Sequence, residues 1–390
     1  MGLVLKYLSF LESLNNQNMW KIIPESVKSL HILFKSYNKK LYVVGGAVRD
    51  FLNGEKPKDF DLCTDATPDE VIKILSNNYK TNLQGKVFGV VVVYTNDQPK
   101  GMEIATFRED VYGDKLGTTR NPDVTFSTIE KDIERRDIQY NALFFDLDKK
   151  EIIDLVNGIE DLNNKITKFV GNPDLRILED PLRILRVIRF NCRYKFTIDS
   201  KTEESIIKNK KKLDIITKER FWNKDNGEII KAWIQAKDFS DYLNYFKKFG
   251  LFEEIFPGLL INDNIIKTNS LETYLANLLI KNNTSSLLNK MIYDFKIETD
   301  ISRKVAFLID LLKLNYENVL DIYKKKNVCH ISDTMILEWY RINNIKDPIF
   351  DSFLKYQPTV SSEELMNKGF KGAELGREIK RLEIEKFKTL

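Results

Sequence analysis

The sequence contains very little cysteine and histidine, which excludes several kinds of functional site. Its 390 residues include three cysteines, Cys63, Cys192 and Cys329, which stand far apart and show no CxxC spacing. A disulfide framework and a structural zinc site are therefore not expected, and a reducing compartment fits. The two histidines, His31 and His330, have no metal-ligand pattern around them. Catalysis that rests on histidine is not expected either.

Long apolar runs and a targeting signal are also missing. No stretch is long enough to span a bilayer, and the N-terminal MGLVLKYLSFLES has no small-residue cleavage site of a signal peptide. Position six is Lys6, which breaks the myristoylation pattern. These absences predict a cytoplasmic enzyme with no membrane partner, and they leave its oligomeric state open.

A large excess of one charge is absent as well. The net charge is only +4 while charged residues make up 30% of the chain, so the overall charge does not by itself indicate a nucleic-acid partner. A basic run taken alone is more often a solvated helix face than a binding site. Basic residues form two local runs, one of Lys208, Lys210, Lys211 and Lys212 and one of Arg183, Arg186, Arg189 and Arg193.

The periodicity of apolar residues divides the chain near residue 161. Helical spacing opens the sequence at Leu5, Leu8, Leu11 and Leu14, and a helix is predicted over Pro68 to Leu75. Beyond residue 161 long amphipathic stretches replace the strands, which predicts an all-helical second part. The predicted strands are Leu41 to Val44, Val87 to Tyr94, Met102 to Phe107 and Tyr140 to Asp146.

The first chemical signal is a pair of glycines at the end of the first predicted strand. Gly45 and Gly46 allow backbone amides to approach a phosphate closely. Arg49 follows on the next turn and is able to add a guanidinium to the same anion. Most glycine pairs are simple turns, so this signal depends on what accompanies it.

Two aspartates that follow the glycine pair are the sharper signal. Asp59 and Asp61 stand two positions apart, and in an extended segment such residues project to the same face. Their carboxylates repel unless a cation lies between them, and Mg²⁺ prefers oxygen ligands of this kind. Glu103, in a later strand, offers a third carboxylate, as two-metal phosphoryl transfer requires. An isolated DxD is usually a solvated loop, and the glycine pair with Arg49 reverses that preference.

These motifs resemble, in order, those of the class II tRNA nucleotidyltransferase and bacterial poly(A) polymerase family. The resemblance covers about residues 40 to 195. Its segments are Val44 to Asp50 with Asp59 to Thr64, Phe88-Gly89 with Thr106 to Arg108, Arg135 to Ala142 (RRDIQYNA), Asp154 to Leu162 (DLVNGIEDL), and Glu179 to Arg183 (EDPLR) with Ile184 to Phe190.

The resemblance implies a fold and a set of site residues. It implies an α+β fold with a polymerase-β-like head built on a mixed sheet (residues 1–150), a helical neck (151–215) and a helical body and tail that bind tRNA (216–390). Two Mg²⁺ ions are implied on Asp59 and Asp61, with Glu103 assisting catalysis. The implied nucleotide-binding residues are Gly45, Gly46, Arg49, Arg108, Arg136, Asp137, Asn141, Asp180, Arg183, Arg186 and Arg189.

The EDPLR segment has its own chemical interpretation. Asp180 and Arg183 stand three apart, so on a helix that begins near Asp180, with Pro181 in its first turn, they share a face. A carboxylate accepts and a guanidinium donates, which matches the amino group and ring nitrogen of cytosine and adenine. Uracil and guanine present the reverse polarity and are rejected. For an unaccompanied pair a simple salt bridge is the better interpretation. Arg186 and Arg189 continue the same face.

Other segments agree less well with the family. Arg108 to Pro122 is a polar segment in which the family has a flexible loop. Glu219-Arg220 begins an expected ERxxxE-like helix, but residues 225–227 depart from its spacing. Phe246 to Pro257 resembles the middle of the helical half only loosely. The glycines of Gly369 to Gly376 are consistent with a phosphate contact or with a plain helix cap.

The sequence therefore predicts an RNA nucleotidyltransferase that adds C, C and A to the 3′ end of tRNA from CTP and ATP and releases pyrophosphate. A poly(A) polymerase of the same family, or an enzyme that adds only A or only CC, remains open, because the head motifs barely separate them. An inactive RNA-binding module is the alternative from another class. Such a module has no need to keep converging carboxylates.

Overall fold

The computed structural model describes residues 15–118 and 122–390. The predicted helix through Leu5, Leu8, Leu11 and Leu14 lies outside the described residues. The chain divides into two compact units, one that ends at Ile216 and one that begins at Thr217. The predicted boundary at residue 150 stays a prediction. None of the helices in the described ranges combines the length and apolarity that crossing a bilayer requires.

The first unit is built on a mixed sheet, which confirms the predicted α+β class. The strands are β1 (Leu41–Val44), β2 (Asp61–Thr64), β3 (Lys80–Asn82), β4 (Val90–Tyr94), β5 (Met102–Thr106), β6 (Arg108–Val111), β7 (Asp123–Phe126), β8 (Phe144–Asp146), β9 (Glu151–Ile153), β10 (Ile166–Thr167) and β11 (Thr197–Ile198). Seven of them form one sheet in the order β3-β4-β5-β2-β1-β8-β9. Only β2 and β5 pair in parallel within this sheet of the described chain; the other neighbours are antiparallel.

The predicted strands differ from the observed ones mainly at glycine turns. Gly89 has a φ of 80° and ends a short 3₁₀ turn over Lys86–Phe88, so β4 begins only at Val90. Gln139–Asn141 forms another 3₁₀ turn, which shortens the last predicted strand to Phe144–Asp146. β9 continues the sheet past residue 150, and β10 and β11 form a small parallel pair among the neck helices.

Helices cover the sheet and extend the first unit. Residues 15–22 are also helical. The predicted helix over Pro68–Leu75 is confirmed, and Thr67 caps it with a hydroxyl that accepts from the Glu70 amide. The helices are α1 (Glu25–Ser36), α2 (Gly46–Leu52), α3 (Pro68–Leu75), α4 (Ile129–Glu134), α5 (Gly158–Asn164), α6 (Pro173–Glu179), α7 (Arg183–Tyr194) and α8 (Ser200–Asn209).

One face of the sheet carries an aromatic core close to the predicted site. Tyr42, Val44, Cys63 and Phe144 project from neighbouring strands into it, and Phe107 joins them. The rings of Tyr42 and Phe107 lie 5.4 Å apart between centroids, and those of Tyr42 and Phe144 lie 6.4 Å apart, edge to face. This packing fixes the strands whose ends carry the polar residues of the site.

The second unit is helical, as predicted. Residues 217–390 are all described, and their regular structure consists of helices and helical turns. Buried aromatic residues such as Trp222, Phe246 and Trp339 form its interior. The helices are α9 (Glu219–Trp222), α10 (Glu228–Gln235), α11 (Phe239–Phe249), α12 (Phe252–Ile255), α13 (Leu271–Leu279), α14 (Thr284–Asn289), α15 (Thr299–Leu311), α16 (Val319–Val328), α17 (Asp333–Ile342), α18 (Pro348–Lys355), α19 (Ser362–Asn367) and α20 (Gly372–Phe387).

The departure from the expected ERxxxE spacing forms a tight turn between α9 and α10. The Gly227 amide donates to the Asn223 carbonyl at 2.7 Å. A Cβ at Gly227 would come within 2.6 Å of the Phe221 carbonyl oxygen and of the Asn223 amide nitrogen. The turn therefore requires glycine, and α10 begins immediately after it with the buried Glu228.

Candidate active site

The predicted catalytic carboxylates lie on neighbouring strands of the central sheet. Asp61 begins β2, where it pairs with Val44 at the end of β1. The parallel register of Leu62 with Ile104 puts Glu103 on β5 beside Asp61. Asp61 keeps a side open to solvent. Burial of its carboxyl, followed by the negative charges of Glu103 and Asp59, raises the pKa of Asp61 to about 6, against a smaller opposing effect of Arg136.

The negative charges of Glu103 and Asp59 add to the effect of burial in raising the pKa of Asp61, so the three carboxylates repel one another. Within the described residues, no three acidic, histidine or cysteine side chains stand close enough to form a finished metal site. The donors are nevertheless all carboxylate oxygens, the ligands that Mg²⁺ prefers. A divalent cation would relieve the repulsion that acts on Asp61. The chemistry of Asp59, Asp61 and Glu103 therefore fits Mg²⁺, and their role as ligands stays a prediction.

The glycine pair forms a turn at the end of β1, and its first residue has a backbone conformation that favours glycine. Gly45 has a φ of 65°, and its amide donates to the Leu143 carbonyl at 2.9 Å. A Cβ at Gly45 would lie 3.4 Å from the Asn141 carbonyl oxygen and 3.8 Å from Nη1 of Arg136. The structure thus brings Gly45, Asn141 and Arg136 together, as the sequence motifs predict for one nucleotide site.

Arg49 is more deeply buried than we expect for a residue that contacts a phosphate. Only 4% of the residue is exposed. Its guanidinium donates to Asp50 at 2.7 and 2.9 Å and to the side-chain oxygen of Asn141. It also lies over the rings of Phe190 and Tyr194, at 5.1 and 5.2 Å from their centroids. The structure therefore shows Arg49 joined to protein partners, and its contact with a phosphate stays a prediction.

Arg136 is held against the aromatic core by a buried carboxylate. Asp132, fully buried, accepts from Nε and Nη2 of Arg136 at 3.1 and 2.9 Å and from Nη2 of Arg135 at 2.6 Å. Burial opposes its charge, yet Arg136 and Arg135 keep the pKa of Asp132 below its usual value. The Arg136 guanidinium lies 4.7 Å from the Phe144 ring centroid. Sequence reasoning missed Asp132, which lies on α4, although its spacing of three and four from the two arginines that follow this helix is a usable signal.

Asp137 connects the head to α7. Its Oδ2 accepts from Nε of Arg186 at 2.6 Å, and its Oδ1 accepts from the Ile138 amide at 2.8 Å. Burial works against the charge of this carboxylate, but Arg186 and then Arg183 hold the pKa of Asp137 well below its usual range. Two predicted nucleotide-binding residues, Asp137 and Arg186, are therefore partners of each other.

The helix that contains Arg183 begins three residues after Asp180, so the two residues do not share a helical face. Their joint contact with a base stays a prediction. α6 ends at Glu179, and Asp180 follows in an extended conformation with a φ of −151°. Its carbonyl accepts from the Arg183 amide at 3.0 Å, so Asp180 precedes the helix that begins at Arg183. The break occurs because Pro181 lacks an amide proton and disfavours the helical conformation of the residue before it.

Arg183 instead is held by groups on α6 and on the loop after α4. Its guanidinium donates to the Glu179 carboxylate, to the Arg176 carbonyl at 3.0 Å and to the Arg135 carbonyl at 2.8 Å. Glu179 is thus the carboxylate that positions Arg183. The EDPLR motif contains it directly before Asp180, so a spacing of four rather than three was the available signal.

The remaining predicted arginines occupy different surroundings. Arg108 begins β6, where Nε lies 3.0 Å from the Asp110 carboxylate and the guanidinium donates to the Phe88 carbonyl. Arg189 is buried, and its guanidinium lies 4.2 Å from the Phe190 ring centroid. The predicted flexible loop contains β6 and the 3₁₀ turn over Gly113–Lys115, and it ends directly before β7. Its residues 119–121 lie outside the described part of the chain.

Comparison with known proteins identifies the family of this chain. The family described as "Poly A polymerase head domain" matches residues 41–168, and "Probable RNA and SrmB- binding site of polymerase A" matches residues 195–261. The chain belongs to the family of CCA-adding tRNA nucleotidyltransferases and bacterial poly(A) polymerases.

Relatives in this family carry both kinds of name. Over 279 residues the chain is 32% identical to "Poly(A) polymerase I" of Salmonella typhi, an alignment that covers 69% of this chain and 57% of the relative. It is 38% identical over 223 residues to the human mitochondrial "CCA tRNA nucleotidyltransferase 1", with 56% of this chain and 50% of the relative covered. The chain therefore spans about half the length of these relatives.

Solved structures of the family share the fold. The CCA-adding enzyme of Bacillus stearothermophilus, solved in complex with CTP, superposes with a TM-score of 0.67 at 22% identity, over 91% of this chain and 90% of that chain. The Thermotoga maritima CCA-adding enzyme with tRNA superposes with a TM-score of 0.66 at 21% identity, over 93% and 90% of the two chains. At this identity the likeness establishes the fold.

Proposed function

We propose that this protein is an RNA nucleotidyltransferase that adds C, C and A to the 3′ end of tRNA from CTP and ATP. One observation carries the proposal: Asp61 and Glu103 lie side by side on parallel strands, at the end of the sheet where Gly45 turns. Burial, and then the negative charges of Glu103 and Asp59, raise the pKa of Asp61 next to that turn. Such a concentration favours a divalent cation and a triphosphate together.

The chain's own residues then have separable roles. Gly45 and Gly46 leave room for the triphosphate beside the backbone. Asp59, Asp61 and Glu103 would hold Mg²⁺, and two ions are predicted. When bound, Mg²⁺ would neutralise charge on the phosphates and lower the pKa of the attacking hydroxyl. Asn141 and Arg136 are held in place by protein partners. They can therefore form hydrogen bonds to the nucleotide without losing further side-chain conformational entropy. The RNA 3′ hydroxyl oxygen forms a bond to the α-phosphorus and gives up its proton to solvent, and the bond from the α-phosphorus to the pyrophosphate oxygen breaks.

Base selection is assigned to the start of α7. Arg183 is held by three protein acceptors and so presents a fixed donor, while Asp180 precedes it as a carboxylate acceptor. Donor and acceptor fixed in this way match cytosine and adenine and mismatch uracil and guanine. Asp180→Ala and Arg183→Ala should lose the preference for CTP over UTP. Full retention of that preference in either variant contradicts this assignment.

The poly(A) polymerase activity is the second candidate, because relatives with that name match the chain at 32% identity. One assay separates the candidates. Purified protein and Mg²⁺ are incubated with a tRNA that lacks CCA, with CTP, ATP or both. Two C residues followed by one A support the proposal, whereas a long A tail supports poly(A) polymerase. Addition of A alone or of CC alone identifies a partial enzyme, and absence of product with retained RNA binding identifies an inactive RNA-binding module.

RNA is assigned to the basic surface near α8. Lys208 pairs with Asp174 at 2.5 Å, and the lysines of the following turn, Lys211 and Lys212, extend the charge. We infer that these lysines neutralise phosphates of the tRNA, which makes affinity fall steeply with salt. An affinity for tRNA that stays constant between low and physiological salt contradicts this assignment. The cytoplasmic location stays a prediction.

A further inference from the structure

A buried cluster joins α2, which follows the glycine turn, to the end of α7. The Asp50 carboxylate lies at its centre and is 7% exposed. Its Oδ1 accepts from the Tyr194 hydroxyl at 2.7 Å and from Nε and Nη2 of Arg49 at 2.9 and 2.7 Å. Its Oδ2 accepts from Nη2 of Arg193 at 3.2 Å. Three side chains from two helices therefore meet on one carboxylate.

Arg49 is fixed by this cluster from more than one side. Asp50 sets the orientation of its guanidinium, and the parallel rings of Phe190 and Tyr194 lie within 5.2 Å of it. The remaining nitrogen, Nη1, donates to the side chain of Asn141. A guanidinium is planar and rigid, so fixing one edge fixes the direction of the other. The orientation of Asn141 consequently depends on Asp50 and Tyr194.

Asn141 in turn borders the glycine turn. Its backbone carbonyl oxygen, rather than the side-chain oxygen held by Arg49, is the nearest atom to the space a side chain on Gly45 would occupy, at 3.4 Å. Nη2 of Arg49 lies 3.6 Å from the corresponding position on Gly46. The contacts lead from Tyr194 through Asp50 and Arg49 to both sides of the turn.

We propose that Asp50 and Tyr194 are positioning residues of the nucleotide site, which hold Arg49 and through it Asn141 and the glycine turn. The helix that begins at Arg183 ends at Tyr194, and through this second end it also determines the geometry in which the triphosphate binds. This inference rests on the proposed function in that it needs a nucleotide site at Gly45 and Gly46. In this inference Arg49 supports the nucleotide site through its contacts with other protein side chains.

A purely structural role for the cluster makes a different prediction. A cluster that only stabilises the fold lowers the melting temperature when it is damaged and leaves the KM of the folded enzyme unchanged. A positioning role raises the KM for nucleotides in protein that is still folded. Because both CTP and ATP present the same triphosphate, the increase should be equal for the two.

Tyr194→Phe is the sharpest variant, since it removes one hydrogen bond and keeps the ring over Arg49. We expect KM for CTP and for ATP to rise about tenfold, as the loss of a bond to a charged group implies, with kcat changed by less than about twofold. Asp50→Asn should act in the same direction. The matched control is Tyr340→Phe, because the Tyr340 hydroxyl in the second unit is buried with no hydrogen-bond partner in the described chain. That variant should leave both constants unchanged.

Equilibrium dialysis of CTP in the absence of RNA separates this inference from the proposed function. If the wild-type protein binds CTP but adds no nucleotide to tRNA, the proposed function fails, and weaker CTP binding by Tyr194→Phe still supports the inference. If folded Tyr194→Phe binds CTP as tightly as the wild-type protein, the inference is overturned. Absence of CTP and ATP binding by the wild-type protein overturns it as well.

Discussion

The carboxylate of Asp137 and the guanidinium of Arg186 meet at 2.6 Å although 49 positions separate them in the chain. Asp137 follows α4 and Arg186 lies on α7, so the pair ties the sheet-based head to the helix assigned to base selection. The resemblance to known enzymes assigned both residues to the nucleotide. Their pairing shows that each has a protein partner which sets its direction before any ligand binds.

Removal of this pair should destabilise the first unit in a pH-dependent way. The pKa of folded Asp137 lies below the unfolded value of 3.8, so the pair contributes stability above that value and loses it as pH falls toward the folded pKa. Asp137→Asn should lower the free energy of unfolding by about 2 kcal/mol at pH 7. Urea denaturation at pH 7 and pH 3 should show a smaller difference at the lower pH.

Asp263→Asn serves as the control for that measurement. Asp263 pairs with Lys247 at 3.1 Å on the surface of the second unit, where solvent screens the interaction. We expect little change in stability at either pH. A loss in Asp137→Asn that is as small as in this control would contradict the role given to the buried pair.

The pKa of Asp61, raised by burial and then by the neighbouring carboxylates, gives a prediction of opposite sign. Its folded pKa of about 6 lies above the unfolded value of 3.8, so the protonated form stabilises the fold below 3.8 and that contribution is lost as pH rises through 6. Without metal, Asp61→Asn should therefore be more stable than the wild-type protein at pH 7.5. Solvent on the open side of Asp61 reduces the gain to roughly 1 kcal/mol.

Thermal unfolding with EDTA and with Mg²⁺ measures this effect. Mg²⁺ should stabilise the wild-type protein at pH 7.5 and do so less at pH 5. It should have no effect on the stability of Asp61→Asn, because this variant has lost one of the three charged ligands. Asp65→Asn is the control, because this exposed carboxylate at the end of β2 accepts from the Lys40 amide and is assigned no metal. Equal stabilisation of Asp61→Asn by Mg²⁺ would remove Asp61 from the metal site.

The elements of the head could be predicted from the sequence because their signals are local. The apolar run Leu41–Val44 and the capped helix Pro68–Leu75 each depend on neighbouring residues, and both have the predicted bounds. The order of the strands could not be predicted from periodicity. It depends on which strand pairs with which, and β5 lies beside β2 although they are far apart in the chain.

The site residues were predicted better as a group than as pairs. Gly45, Asn141 and Arg136 do converge. Asp180 and Arg183 do not share a helical face, because the helix predicted to begin near Asp180 begins only at Arg183, after Pro181. The contacts of Arg49 were not predictable, since Tyr194 and Asn141 approach it only in the folded chain.

The close approach of α5 to the turn that contains Asn141 leads to the last prediction. A Cβ at Gly158 would lie 2.5 Å from the Gln139 carbonyl oxygen and 3.0 Å from the Tyr140 Cα. Both are backbone atoms of the 3₁₀ turn Gln139–Asn141, so a side chain would have to displace the turn. Gly158→Ala should therefore destabilise the protein by about 2 kcal/mol and weaken CTP binding through the displaced Asn141.

Gly376→Ala is the matched glycine control, because it lies within α20 and has nothing within 4 Å of its added methyl group. In a helix interior this change should stabilise by up to about 1 kcal/mol. Denaturation and CTP dialysis of the two variants give opposite expected signs for stability. If Gly158→Ala is destabilised but binds CTP normally, the turn tolerates the displacement, and its position is not what fixes Asn141 for the nucleotide.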